Sequence, residues 1–275
     1  MNSIDNYPAW KNGKYCKVKD LTVSVLDLGL IHCDATYDVL AVRNGEIENL
    51  DAHLRRFIRS SIGWRIPVEW SDNDIEIVIQ TLAAMAPTDD LLVWIGVTRG
   101  IPTSGNPRDL ANCKPNLFIY TKPYYGFNKE NTATVCLAKQ KRNTSIDQTM
   151  KNFAWNDLNL AQWEAIDRGY DTAVLLDHEG LITEGPGFNV GFIRGGKVYA
   201  PKNNCLKGTV MELVKSLCER NGIWFEYGNI LPWFAETSDA MFLTSTAGNV
   251  ITVKCFENKY FNENETLTWL QQKLA

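Results

Sequence analysis

Hydrophobic and polar positions sort this chain into short elements. Residues 21–26 (LTVSVL) alternate apolar and polar, as a strand with one buried face does. Apolar runs at 37–42 and 91–97 predict two more strands, the second an interior one. Asn44-Gly45 predicts a two-residue hairpin with a short return over 46–50. Asp51 then stands as the cap of a helix to about 62, with Leu54, Phe57, Ile58 and Ile62 on one face. Ser71 to Asp74 open a second helix carrying Ile75, Val78, Ile79 and Leu82. A loop is expected over 98–107 and a strand over 116–120. Turn residues then cluster from Tyr120 to Gly126.

The second half repeats the mixture in a different order. A strand is expected over 132–138, and then a helix capped by Asn156 and ended by Gly169, with Leu158, Ala161 and Ala165 on one face. Strands follow at 172–176, 181–183, 188–193 and 197–200, joined by turns at 177–180 and at Gly195-Gly196. A helix over 210–220, a strand over 239–243 and a helix over 266–274 complete the pattern. Strands grouped by hairpins, with helices interspersed, argue for an α+β fold rather than a doubly wound parallel sheet. The expected division is a small N-terminal domain over 1–120, a linker over 121–131 and a larger domain over 132–275.

Composition narrows the function. Apolar residues make up 45% and charged residues 22% of 275, as in an ordinary globular protein. A net charge of −4 gives no electrostatic reason to expect nucleic acid. No apolar run approaches bilayer length and the start has no signal-peptide core, so a cytoplasmic protein without membrane contact is expected. Seven scattered cysteines with no CxxC pair, and three well-separated histidines, argue for reduced thiols and against a metal site.

Candidate chemistry concentrates in 150–193. Lys151 stands just ahead of a helix, and Glu184 sits at a Gly-Pro-Gly corner between strands. A lysine able to form a Schiff base and an acid able to partner a pyridinium nitrogen suit pyridoxal 5′-phosphate.

Lys151-Asn152-Phe153-Ala154-Trp155, Arg168-Gly169, Ile182 to Asn189 and Leu206-Lys207-Gly208 resemble the class IV (fold-type IV) aminotransferases. The likeness runs from about Leu21 to Val253. Within that family, the run from Asp27 to Val39 and Val97-Thr98-Arg99-Gly100 look most like R-selective amine transaminases, with D-amino acid aminotransferases beside them. The resemblance implies a two-domain fold with the cofactor at the domain interface, and a homodimer. It implies that Lys151 carries the cofactor and moves the proton, and that Glu184 meets the ring nitrogen. It also implies that Arg56 and Thr246 bind phosphate together with N–H groups at Gly208, Thr209 and Val210, and that Trp155, Phe188, Asn189 and Leu206 line the cofactor.

Arg55 competes with Arg56, since neighbours on a helix point about 100° apart. The family's threonine at the second position after the glycine is Val210 here, and Thr209 either replaces its hydroxyl or does not. His32, Tyr37, Val39, Leu92, Trp94, Thr246 and Ala247 match substrate-pocket positions, with core packing the competing reading for Val39, Leu92 and Trp94. The loop after Thr98-Arg99-Gly100 lacks the arginine of R-selective enzymes, leaving Arg108 as either a carboxylate ligand or a solvent-facing residue. The expected activity is transfer of an amino group from a D-amino acid or R-amine to a 2-keto acid. A branched-chain L-amino acid aminotransferase and a lyase resembling aminodeoxychorismate lyase are the alternatives.

Overall fold

The computed structural model describes residues 4–274. The chain divides into two compact units, Met1–Tyr124 with Met150–Ala154, and Tyr125–Thr149 with Trp155–Ala275. The segment that holds Lys151 thus belongs with the first unit.

The first unit contains strands β1 (Pro8–Lys11), β2 (Lys14–Lys17), β3 (Ala35–Arg43), β4 (Glu46–Ile47), β5 (Leu91–Pro102) and β6 (Cys113–Pro123). Its helices are α1 (Leu28–Ile31), α2 (Leu50–Gly63) and α3 (Asp72–Met85). The strands form one antiparallel sheet in the order β2-β1-β6-β5-β3-β4. Alternate residues of the central strands, among them Leu40, Val93, Ile95 and Ile119, bury one face in a core with Leu54, Phe57, Ile79 and Leu82 of α2 and α3. Ser71 and Asp74 cap α3 reciprocally, at the helix start expected over Ser71 to Asp74.

Several expectations are corrected here. Residues 21–26 form no strand: the Leu21 N–H turns back to Val18 and the Asp27 N–H to Ser24, so the backbone closes local turns instead of a ladder. The cap of α2 is Asn49, in a left-handed conformation, and Asp51 falls in the exposed first turn. The loop expected from Thr98 is a continuation of β5 to Pro102, across a register shift between Thr98 and Ile101. Gly100 makes this possible. Its φ is +81°, and a Cβ there would lie 1.7 Å from the Lys114 carbonyl oxygen, so only glycine fits the bulge. Strand β6 likewise runs past Tyr120 through Lys122 to Pro123.

The second unit contains β7 (Thr132–Lys141), α4 (Asn156–Asp167), β8 (Thr172–Leu176), β9 (Glu184–Gly185), β10 (Phe188–Arg194) and β11 (Lys197–Pro201). It continues with α5 (Thr209–Arg220), β12 (Phe225–Gly228), α6 (Pro232–Thr237), β13 (Ala240–Ser245), β14 (Asn249–Phe256), β15 (Lys259–Tyr260) and α7 (Glu265–Lys273). Its sheet is mixed, β12-β11-β10-β13-β14-β7-β8, with β9 beside β10 and β15 beside β14. One face packs Val190, Phe192, Met241, Leu243 and Val253 together, and the other packs Ala240 and Phe242 under Met211 and Val214 of α5. The strand expected at 181–183 reduces to one bridge between Leu176 and Ile182. The Ile182 N–H goes to Ile230 and the Thr183 N–H to Leu175, so neighbouring amides serve different partners. No helix among the described residues is long and apolar enough to cross a membrane.

Candidate active site

Lys151 is fixed through its backbone. Its N–H donates to Ser60 Oγ at 3.1 Å, while its carbonyl accepts from Thr36 Oγ1 at 2.7 Å and from Trp64 Nε1 at 3.1 Å. Ser60 in turn donates to the Arg56 carbonyl, so a polar side chain of α2 spans the helix and the lysine segment. The Nζ lies 4.5 Å from the centroid of the Tyr37 ring, a contact that orients an ammonium. Phe153 meets the same ring edge-on at 5.2 Å. Tyr37 stacks on Trp94 at 4.7 Å with the planes 6° apart.

Behind that sheet face, α2 turns Arg56 inward and leaves Arg55 exposed. Arg56 grips Asp38 with two hydrogen bonds, Nε to Oδ2 and Nη2 to Oδ1, both 2.7 Å. His53 Nδ1 lies 2.8 Å from Asp38 Oδ1. Burial alone would raise the Asp38 carboxyl, but the charge and hydrogen bonds of Arg56, with those of His53, outweigh it. They hold the group well below the usual carboxylate range.

In the second unit Glu184 is buried at 6% exposure. Its Oε1 accepts from Arg142 Nε at 3.1 Å and its Oε2 from the Leu206 N–H at 3.0 Å. Arg142 also donates to Asp157 Oδ2 at 2.6 Å and to Gln148 Oε1 at 2.5 Å. This hydrogen-bonded cluster sets two carboxylates against one guanidinium. A cation beside Glu184 would balance it, because buried charges are tolerated when paired. Nearby, Asn189 donates to the Leu206 carbonyl, and a Cβ on Gly208 would lie 1.8 Å from Asn189 Oδ1. Gly208 precedes α5 without a side-chain cap, and Thr209 and Val210 are its first, buried residues. Across the β10–β13 ladder from Asn189 stands Thr244, whose Oγ1 is buried without a hydrogen-bond partner among the described residues.

These residues fit pyridoxal 5′-phosphate by their chemistry. An anionic cluster suits a protonated ring nitrogen, and a helix start without a side-chain cap suits a phosphate. Gly187, at φ +85°, lies against Trp155: a Cβ there would come within 3.4 Å of that indole. Thr246 and Ala247 form the turn between β13 and β14. Phe188 is buried in the sheet core.

The expected pocket residues separate into two settings. Tyr37, Val39, Leu92 and Trp94 share one face of the first sheet, with Val39 paired to Trp94. His32 and Arg108 are exposed, Arg108 on a turn pinned by its own N–H to Asn106. Sequence reasoning passed over Thr36, Ser60, Trp64, Asp38, Arg142, Asp157 and Gln148. Asp38 alone carried a signal, as a charged residue inside the strand expected over 37–42.

A lysine pinned beside an aromatic face and a buried anionic glutamate are the equipment of a cofactor-dependent transferase. The family Amino-transferase class IV matches residues 35–256. The chain belongs to this family and is an aminotransferase. Class IV aminotransferases use pyridoxal 5′-phosphate. The chain is 27% identical over 261 residues to a putative branched-chain-amino-acid aminotransferase of Methanocaldococcus jannaschii, covering 92% of this chain and 89% of that one. It is 25% identical over 252 residues to the D-alanine aminotransferase of Bacillus licheniformis, covering 90% and 88%. The branched-chain amino acid aminotransferase of Thermobaculum terrenum, solved in its PLP-bound holo form, superposes with a TM-score of 0.88 at 21% identity, covering 98% and 93%.

Proposed function

We propose that this chain is a pyridoxal 5′-phosphate-dependent transaminase that moves an amino group from a D-amino acid or an R-amine to a 2-keto acid in two alternating half-reactions. The observation that carries this reading is Lys151, pinned at both backbone groups with its amine against Tyr37. The D/R preference draws on the Asp27–Val39 run and on the D-alanine aminotransferase relatives. A branched-chain L-amino acid donor is the second reading, favoured by the Methanocaldococcus relative and by the solved neighbours.

When bound, the cofactor supplies an electrophilic aldehyde and a ring that takes up electrons. Lys151 Nζ holds it at rest. The same Nζ would also be the base that takes the proton from the donor's α-carbon and the acid that gives it back on the cofactor side of the transferred nitrogen. Glu184 would keep the ring nitrogen protonated, and Arg142 with the Leu206 N–H keeps the carboxylate aimed. The α5 start and the hydroxyls of Thr209 and Thr246 would offer donors to the phosphate, and Arg56, fixed by Asp38, would offer it a cation. Trp155 and Gly187 flank the ring, while Tyr37, Val39 and Trp94 border the substrate.

Val25, Leu26 and Leu30 are 74%, 63% and 57% exposed, an apolar segment that a second copy would cover in a homodimer. Light scattering should then give twice the 31.1 kDa of one chain. The seven free thiols support a reducing, cytoplasmic setting.

The donor panel tests the substrate. D-Alanine, R-1-phenylethylamine and L-leucine are compared with one 2-keto acid as acceptor. Preference for either of the first two is expected, and equal or better use of L-leucine rejects the D/R reading. Pyruvate released without any acceptor marks a lyase instead.

A further inference from the structure

The first sheet has one face under α2 and α3 and an opposite face that carries the catalytic lysine. Strand alternation and register place Tyr37, Trp94, Tyr120 and Lys122 on that second face, from three neighbouring strands. Three rings stand in a row. Tyr37 and Trp94 are 4.7 Å apart, Trp94 and Tyr120 6.0 Å apart, with planes inclined by 6° and 17°. Two ammonium groups meet this row: Lys151 Nζ 4.5 Å from the Tyr37 centroid, and Lys122 Nζ 5.4 Å from that of Trp94.

One of those amines is the reacting group, and the other sits on the neighbouring ring, whose centroid is 4.7 Å further along the row. The acidic side chain nearest in sequence to Tyr37, Asp38, points to the other face and is taken up by Arg56. Trp94, Tyr120 and Lys122 keep partial solvent access, whereas Tyr37 is buried. A cation ordered on a partly exposed indole, next to the ring that meets the Lys151 amine, is suited to a carboxylate whose carbon chain lies along the rings.

We propose that Lys122 is a specificity-determining residue that binds the distal carboxylate of a dicarboxylic 2-oxo acid or amino acid. This rests on the transaminase reading above. It assigns the anchoring to a strand residue rather than to the exposed Arg108 turn. The Tyr37 and Trp94 rings accommodate the carbon chain, and the ammonium of Lys122 over Trp94 meets its far carboxylate.

The test uses the holoenzyme with a saturating amino donor and two acceptors, 2-oxoglutarate and the uncharged-tail 2-oxohexanoate. Lys122→Met should raise KM for 2-oxoglutarate about tenfold to a hundredfold, the range for losing a charge-assisted hydrogen bond, with kcat nearly unchanged. KM for 2-oxohexanoate should move less than about threefold, and Lys122→Arg should restore most of the loss. Calorimetric binding of glutarate, which cannot react, should weaken in parallel in Lys122→Met. Equal losses on both acceptors, an unchanged glutarate affinity, or failure of Lys122→Arg to restore binding overturns the proposal. Failure of the underlying reading looks different: the wild-type protein would transfer no amino group to either acceptor.

Discussion

Arg56 and Arg142 are both buried guanidiniums facing carboxylates, yet they are held in different ways. Arg56 grips Asp38 with two hydrogen bonds to one carboxylate, with His53 alongside, a guanidinium matched to a carboxylate. Arg142 is divided among Glu184, Asp157 and Gln148, and its cluster carries one more carboxylate than guanidinium. A balanced buried pair fixes geometry. The other cluster shares one guanidinium between two carboxylates, and Glu184 is the carboxylate that the proposed chemistry sets against a cation.

Substitutions should separate these roles. The largest effect on turnover is expected from Glu184→Ala, a fall of about a hundredfold to a thousandfold in kcat, comparable to losing one preorganised electrostatic group in an active site. Glu184→Gln should lie nearby if the charge rather than the shape matters, and steady-state kinetics on cofactor-loaded protein would measure both. Arg142→Met should lower both turnover and stability. It strands two buried carboxylates, at a cost of about 3–5 kcal/mol for breaking a buried pair, read by urea denaturation.

Asp38→Asn should mainly destabilise, and in a pH-dependent way. The folded-state Asp38 carboxyl titrates well below the unfolded value of about 3.9. Its contribution is therefore complete above that value and lost as pH falls toward the folded one. The stability gap between the wild type and Asp38→Asn should be full at pH 7 and shrink below about pH 4. A gap that stayed constant with pH would contradict the ionised pair.

Two smaller effects probe the surroundings. Gly100→Ala combines positive φ with a clash against the Lys114 carbonyl and should destabilise the first unit by about 1–3 kcal/mol, seen as a lower Tm. Alkylation at neutral pH should label the exposed Cys33 and spare Cys205 beside Glu184, whose thiol burial pushes up to about 12.

The strands with hairpin chemistry at their ends were legible. Asn44-Gly45 and Gly195-Gly196 stand in the turns their residue types demand. The same signal at Asn12-Gly13 joins β1 and β2, a hairpin hidden inside a stretch that reads only as polar. Alternation at 21–26 misled because a period of two states which face is apolar and not whether a neighbouring strand is there to pair. Lys151 and Glu184 stand out as candidates in the sequence because their motifs are contiguous. The groups that position them do not: Thr36 lies 115 residues from Lys151, and Arg142 lies 42 from Glu184. Such pairings are made by the sheet register and leave no local trace.

The most direct test of the account is reductive trapping. Cofactor-loaded protein treated with borohydride and digested should carry the pyridoxyl label on the peptide containing Lys151, and Lys151→Ala should take no label. A label on another lysine, or wild-type protein that takes up no cofactor, would contradict it.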